Sequence, residues 1–172
     1  MGKRDLKKEL ADYDKKMLIG LISDLYDKNK FVKEYLDYFL KPDEKEMLKA
    51  YKTKVKEAFY PKRGFGFNLA AGKKAINDYR KLKPSIDCLI EIMLCYAECG
   101  VQFTKDYGDI NENYYLSIER TYRDSMELID INQLHDKFKE KAFQIYQNSE
   151  NTGWGFHDTL GNFYYETFPF ED

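Results

Sequence analysis

Ile86-Asp87-Cys88-Leu89-Ile90-Glu91-Ile92-Met93-Leu94-Cys95-Tyr96-Ala97 follows Pro84-Ser85 and carries apolar side chains around nearly its whole circumference. A helix that is apolar all round belongs at the centre of a domain, because no face of it is suited to water. It is too short, and interrupted by Glu91, to span a bilayer. Pro84-Ser85 opens this helix, and it stops near Gly100 or runs through that glycine toward Tyr107.

On the C-terminal side of this centre, Gly108-Asp109-Ile110-Asn111 reads as a turn, with Asp109 and Glu112 as a cap. The stripe Tyr115, Ile118, Tyr122, Met126, Ile129 recurs at helical spacing. Asn132 starts a further helix with Leu134, Phe138, Ala142 and Ile145 inward. Residues 148–155 form a polar loop, and a last short helix spans His157 to Thr167, before Pro169 and an acidic tail.

On the N-terminal side, Met17, Leu18, Leu21, Ile22, Leu25 and Tyr26 lie on one helical stripe,. Phe31, Val32, Tyr35, Leu36, Phe39 and Leu40 repeat the pattern after a short polar link, as a helical hairpin or one bent helix. Pro42-Asp43-Glu44-Lys45-Glu46 starts a helix carrying Leu48, Tyr51, Val55 and Phe59, which Pro61 ends. Residues 62–68 form a loop containing Gly64 and Gly66, and Asn68 caps a helix to about Leu82. The result is an all-α chain of about seven to nine antiparallel helices over residues 1–172, read as one domain. The helices stack as hairpins in the manner of a short α-solenoid, or pack as a compact bundle.

Composition narrows the function classes. Aromatic residues make up 16% of the chain, with 15 Tyr and 12 Phe, which argues against disorder and for a core built on rings,. The N-terminal residues lack a signal-peptide pattern, and the three cysteines read as reduced thiols, so the expected location is the cytoplasm, with no membrane partner. Cys88, Cys95 and Cys99 share one helical face without a CxxC pair, and they read as core residues rather than metal ligands.

Charge is segregated. Lys49 to Lys83 carries 11 basic and 2 acidic residues, net +9, whereas Pro84 to Asp172 is net −11. Lys52, Lys54, Lys56, Lys62, Arg63, Lys73 and Lys74 could form a phosphate or nucleic-acid surface, with Tyr60, Phe65 and Phe67 available to stack on bases. The competing reading is that this half faces the acidic half of the same chain, or is simply solvated.

Three short strings hold the candidate ligand-binding residues. Phe59-Tyr60-Pro61-Lys62-Arg63-Gly64-Phe65 offers Tyr60, Lys62, Arg63 and Phe65, but it is not a phosphate-cradling glycine loop. The string from Asp106 to Asn113 offers Asp106 and Asp109. As a calcium loop it fails, with Tyr114 where glycine is required and Arg120 where a bidentate Glu belongs. Gly153-Trp154-Gly155-Phe156-His157-Asp158 holds the only Trp and one of two His; its candidates are Trp154, His157 and Asp158. His157 beside Asp158 could act as a general base or bind a ligand, or the string is a helix start whose rings dock on the core; no nucleophile–base–orienter set emerges, and neither a catalytic residue nor a cofactor is assigned. Whether the three strings converge decides whether they form one site or three structural turns.

Four strings in combination resemble an uncharacterised bacterial family of small helical proteins, classed as a domain of unknown function. They are LDYFLKPDE at 36–44, EAFYPKRGFG at 57–66, GVQFTKDYGDI at 100–110 and GWGFHDTL at 153–160. The resemblance carries no activity or site residues with it. The leading expectation is a non-enzymatic helical module for a protein or peptide partner. Nucleic-acid or phosphate-ligand binding through segment 49–83 is the alternative, and an enzyme using His157 comes third.

Overall fold

A computed structural model describes residues 1–169; the acidic tail lies outside the described residues. The chain is all-α, with nine α-helices and no strand among the described residues, and neighbouring helices pack antiparallel. They group into two compact units, Met1–Asp43 and the remainder from Glu44.

The first unit holds α1 (Lys3–Ala11), α2 (Lys15–Lys28) and α3 (Lys30–Leu40). The two predicted stripes become α2 and α3, which pack on each other as a hairpin. A single residue, Asn29, makes the link. Its extended backbone breaks the helix, and its Oδ1 accepts hydrogen bonds from the Phe31 and Val32 amides at 3.0 and 3.2 Å. The Tyr26 hydroxyl donates to Asp37 across the pair at 2.8 Å. No residue of α1, α2 or α3 is fully buried.

The second unit holds α4 (Glu44–Phe59), α5 (Leu69–Lys81), α6 (Ile86–Tyr107), α7 (Glu112–Ile131), α8 (His135–Asn148) and α9 (Phe156–Thr167). They form successive hairpins, α4 with α5, α6 with α7 and α8 with α9. These stack so that α6 lies between α4 and α8, while α7 lies against α9. As its all-round apolarity predicts, α6 is central, with twelve buried residues including Ile90, Ile92, Leu94 and Phe103. It runs straight through Gly100, because Ile118 of α7 packs on that spot. A Cβ there would lie 2.7 Å from Ile118 Cγ1. Cys95 and Cys99 are buried in this helix, as expected of small apolar side chains, and Cys88 is half-buried.

Two boundaries differ from the sequence reading. The helix expected from Asn132 begins at His135, because Asn132 closes α7 and Gln133 turns with φ of 55°. The turn before α7 is capped by Asn111, whose Oδ1 accepts from the Tyr114 amide at 3.0 Å; Asp109 is used elsewhere.

Part of the basic segment does meet the acidic half of its own chain. Glu91 of α6 binds both Lys52 of α4 and, at 2.7 Å, Lys141 of α8. Burial pushes the Glu91 carboxyl up, but the hydrogen bonds from the two lysines outweigh it and hold the group below its ordinary 4.5. A carboxylate depressed in the folded state stabilises the fold fully above that value, and the contribution is lost as pH falls through the folded-state pKa. Glu91→Gln is therefore expected to flatten the decline of stability below pH 4.5. Urea unfolding at a series of pH values reads this out; an unchanged acid limb would show that the bridge contributes nothing.

Candidate functional site

At the end of α4 the Tyr60 amide still bonds to the Lys56 carbonyl at 2.8 Å, so Tyr60 prolongs the helical turn before Pro61 diverts the chain. The loop then closes on itself. Gly64 and Gly66 take left-handed φ of 83° and 110°, and the Asn68 amide returns to the Ala58 carbonyl at 2.7 Å. Asn68 caps α5 through the Ala71 amide at 2.9 Å, as expected.

This loop lays three rings on the C-terminal end of α6. Phe67 meets Phe103 and Tyr114 edge-on, with centroids at 5.3 and 4.8 Å. Tyr60 lies between Phe103 and Tyr107, at 5.7 and 6.4 Å. Phe65 stands edge-to-face on Tyr107 at 4.9 Å. Such geometries suit the ring quadrupoles and fix the rings relative to each other. The cluster is not sealed: Phe65 is 77% exposed and Tyr107 49%. Beneath it, Asp106 accepts the Tyr60 hydroxyl and the Gln102 amide, each at 2.7 Å. Burial, then the Asp106 carboxylate, pushes the Tyr60 hydroxyl pKa up, so it serves as a donor at neutral pH,.

The loop 148–155 approaches the same turn. Asp109 accepts the Tyr115 hydroxyl and lies hard against Gly153, where a Cβ would sit 2.8 Å from the carboxylate. Burial and the bond to Asp109 push Tyr115 up to about 12. Lys105 adds a bond to Asn148 at 3.1 Å. Trp154, next in the chain, takes φ of 60°, unusual for a bulky residue, and its side chain is 59% exposed,. Gly155 follows in the same left-handed region and begins α9.

The three strings therefore meet on three residues at the α6–α7 turn. Asp106 holds Tyr60, Tyr107 supports Phe65, and Asp109 meets Gly153. Lys62 points away to an ion pair with Glu57 at 2.7 Å, and Arg63 is exposed. Asp158 is exposed on the first turn of α9.

His157 turns to α8 instead. Its ring stacks on Tyr146, with centroids at 4.6 Å, and its Nδ1 lies 2.9 Å from Ser149 Oγ. That hydroxyl donates its one proton to the Tyr146 carbonyl at 2.6 Å, so the histidine Nδ1–H is the donor in the pair,. This is the reverse of a base activating a serine nucleophile. Among the described residues no group of three His, Cys, Asp or Glu side chains is placed to hold a metal ion. No helix there is long and apolar enough to cross a membrane.

Tyr107 and Phe103 went unrecognised as site residues in the sequence. The available signal was their i, i+4 spacing just before Gly108, at the end of the central helix.

A family model described as a family of unknown function (DUF6155) matches residues 1–168, and the chain belongs to that family. No curated protein and no solved structure matches the chain.

Proposed function

We propose that this member of a family of unknown function is a non-enzymatic interaction module, which docks a protein or peptide partner on the ring cluster at the α6–α7 turn. The observation that carries the reading is the exposure of Phe65, Tyr107 and Trp154 beside a turn held by hydrogen bonds from the Tyr60 and Tyr115 hydroxyls to Asp106 and Asp109. Large rings left in water on a firm base are the usual anchors of binding energy, since little ordering is required when the partner arrives. Trp154 also holds a backbone conformation that costs energy without burying the indole, which fits a ring displayed for contact.

The nucleic-acid reading has less behind it, because Lys52, Lys62 and Lys74 are each engaged with a carboxylate of the same chain. The enzyme reading is weaker still, given the direction of the His157–Ser149 bond.

Peptides selected by display on the immobilised chain are expected to lose at least about tenfold in affinity on Phe65→Ala and on Trp154→Ala, the loss typical of an anchor ring. Both side chains are exposed, so the fold is expected to survive, with far-UV circular dichroism as the check. Selected peptides that bind both variants as tightly as the parent would show that the cluster is not the docking surface.

A further inference from the structure

Lys45, Lys49, Lys52 and Lys56 recur at i, i+4, i+7 and i+11 and line one furrow along α4, with Leu48 and Thr53 between them,. Tyr60 continues the same row, because its amide bonds to the Lys56 carbonyl as a further helical turn would. The lysine row thus leads directly to the ring that meets Tyr107, and through Tyr107 to Phe65.

Among the described residues, three of the four lysines in the row have no ion-pair partner. Like charges at this spacing destabilise a helix. Lys45, Lys49 and Lys56 form no ion pair among the described residues, and Lys52 shares Glu91 with Lys141. Neighbouring rows of the same chain do carry the compensating carboxylates: Lys62 has Glu57, and Lys74 and Lys81 have Asp78.

We infer that this furrow takes an acidic stretch of the same peptide whose apolar residue docks on the Tyr60–Phe65–Tyr107 cluster. The inference rests on the docking reading above and names the partner's chemistry. Eleven residues of helix run about 16 Å, the length of about five residues of extended peptide. Leu48 and the lysine stems give the furrow an apolar floor on which such a segment can lie. A long polyanion fits less well. The chain from Pro84 onward is net −11 and repels it, whereas a short segment feels mainly charges within a screening length of about 10 Å,. The row also holds no arginine, the side chain suited to forked contacts with phosphate.

The test uses the full chain and fluorescein-labelled peptides of five alternating Asp and Glu residues, with Leu-Phe at either end. Anisotropy is expected to show binding that weakens about tenfold or more between about 50 and 300 mM salt. The same loss is expected with Lys49→Glu/Lys56→Glu, two exposed positions at which surface changes leave the fold intact,. Phe65→Ala is expected to weaken it as well. If a peptide with Ser and Gln in place of the acids binds equally well, the furrow is not involved, though the ring-cluster reading stands. If acidic peptides bind but ignore Phe65→Ala, the furrow acts without the cluster and the linked site is overturned. An oligothymidylate of equal charge that displaces the peptide at lower concentration would make nucleic acid the ligand instead. No binding by any of these probes overturns the inference, and the ring-cluster reading then rests on the display selection alone.

Discussion

Replacing Phe59 with alanine is expected to cost about 3–5 kcal/mol of folding stability, the range for deleting a fully buried ring. Phe59 is the residue at which α4, α6 and α7 meet. It packs on Tyr96 with centroids at 5.1 Å and on Phe103 and Tyr114 at 6.5 and 6.4 Å. The surrounding rings cannot easily collapse into the space. Tyr96 is tied to Ser117 at 2.9 Å, and the Tyr114 hydroxyl donates to the Gly100 carbonyl at 2.8 Å. A cavity that stays open places the cost toward the upper end of the range. Since domains of this kind are stable by about 5–15 kcal/mol, the variant approaches the edge of folding. Urea unfolding followed by far-UV circular dichroism measures the difference. A loss below about 1 kcal/mol would mean that the junction repacks freely.

The second large effect is expected at Gly100. In an ordinary helix interior, alanine is better than glycine by about 0.5–1 kcal/mol. Here the new methyl would occupy the place of the buried Ile118 side chain. Overpacking of this kind costs about 1–3 kcal/mol, so Gly100→Ala is expected to destabilise despite its better propensity, and Gly100→Val more so. Ile118→Val, which removes the outermost of the crowded atoms, is expected to restore part of the loss in the double variant. If Gly100→Ala instead stabilised the chain, α6 and α7 would not approach as closely as the structure has them.

These two residues also show where the sequence was informative. Phe59 stood on a helical stripe ending at Pro61, and periodicity alone put it in the core. Gly100 was ambiguous, because a glycine in a helical pattern signals a stop or a close approach, and only the identity of the opposing side chain distinguishes them. The same logic explains α1, which the stripe reading passed over: between Lys3 and Ala11 only Leu6 and Leu10 are large and apolar. At the α6–α7 turn, the sequence reading put the cap on Asp109. The choice fell to Asn111 because Asp109 is drawn to Tyr115 and to the cleared space at Gly153. His135, at the start of α8, is half-covered; its ring meets Phe168 at 5.7 Å. The meeting of the three strings is set by helix packing between distant residues, and no local pattern encodes it.

The exposed indole has a practical corollary. Trp154 is the chain's only tryptophan, and the core is packed instead with tyrosine and phenylalanine. Tryptophan emission from this protein therefore reports the polarity at one surface site, and much less the integrity of the interior. A denaturation curve read at that wavelength would be nearly silent while the helices come apart. The same silence is an advantage in titrations, where a blue shift would report a partner covering the ring against an almost unchanging background.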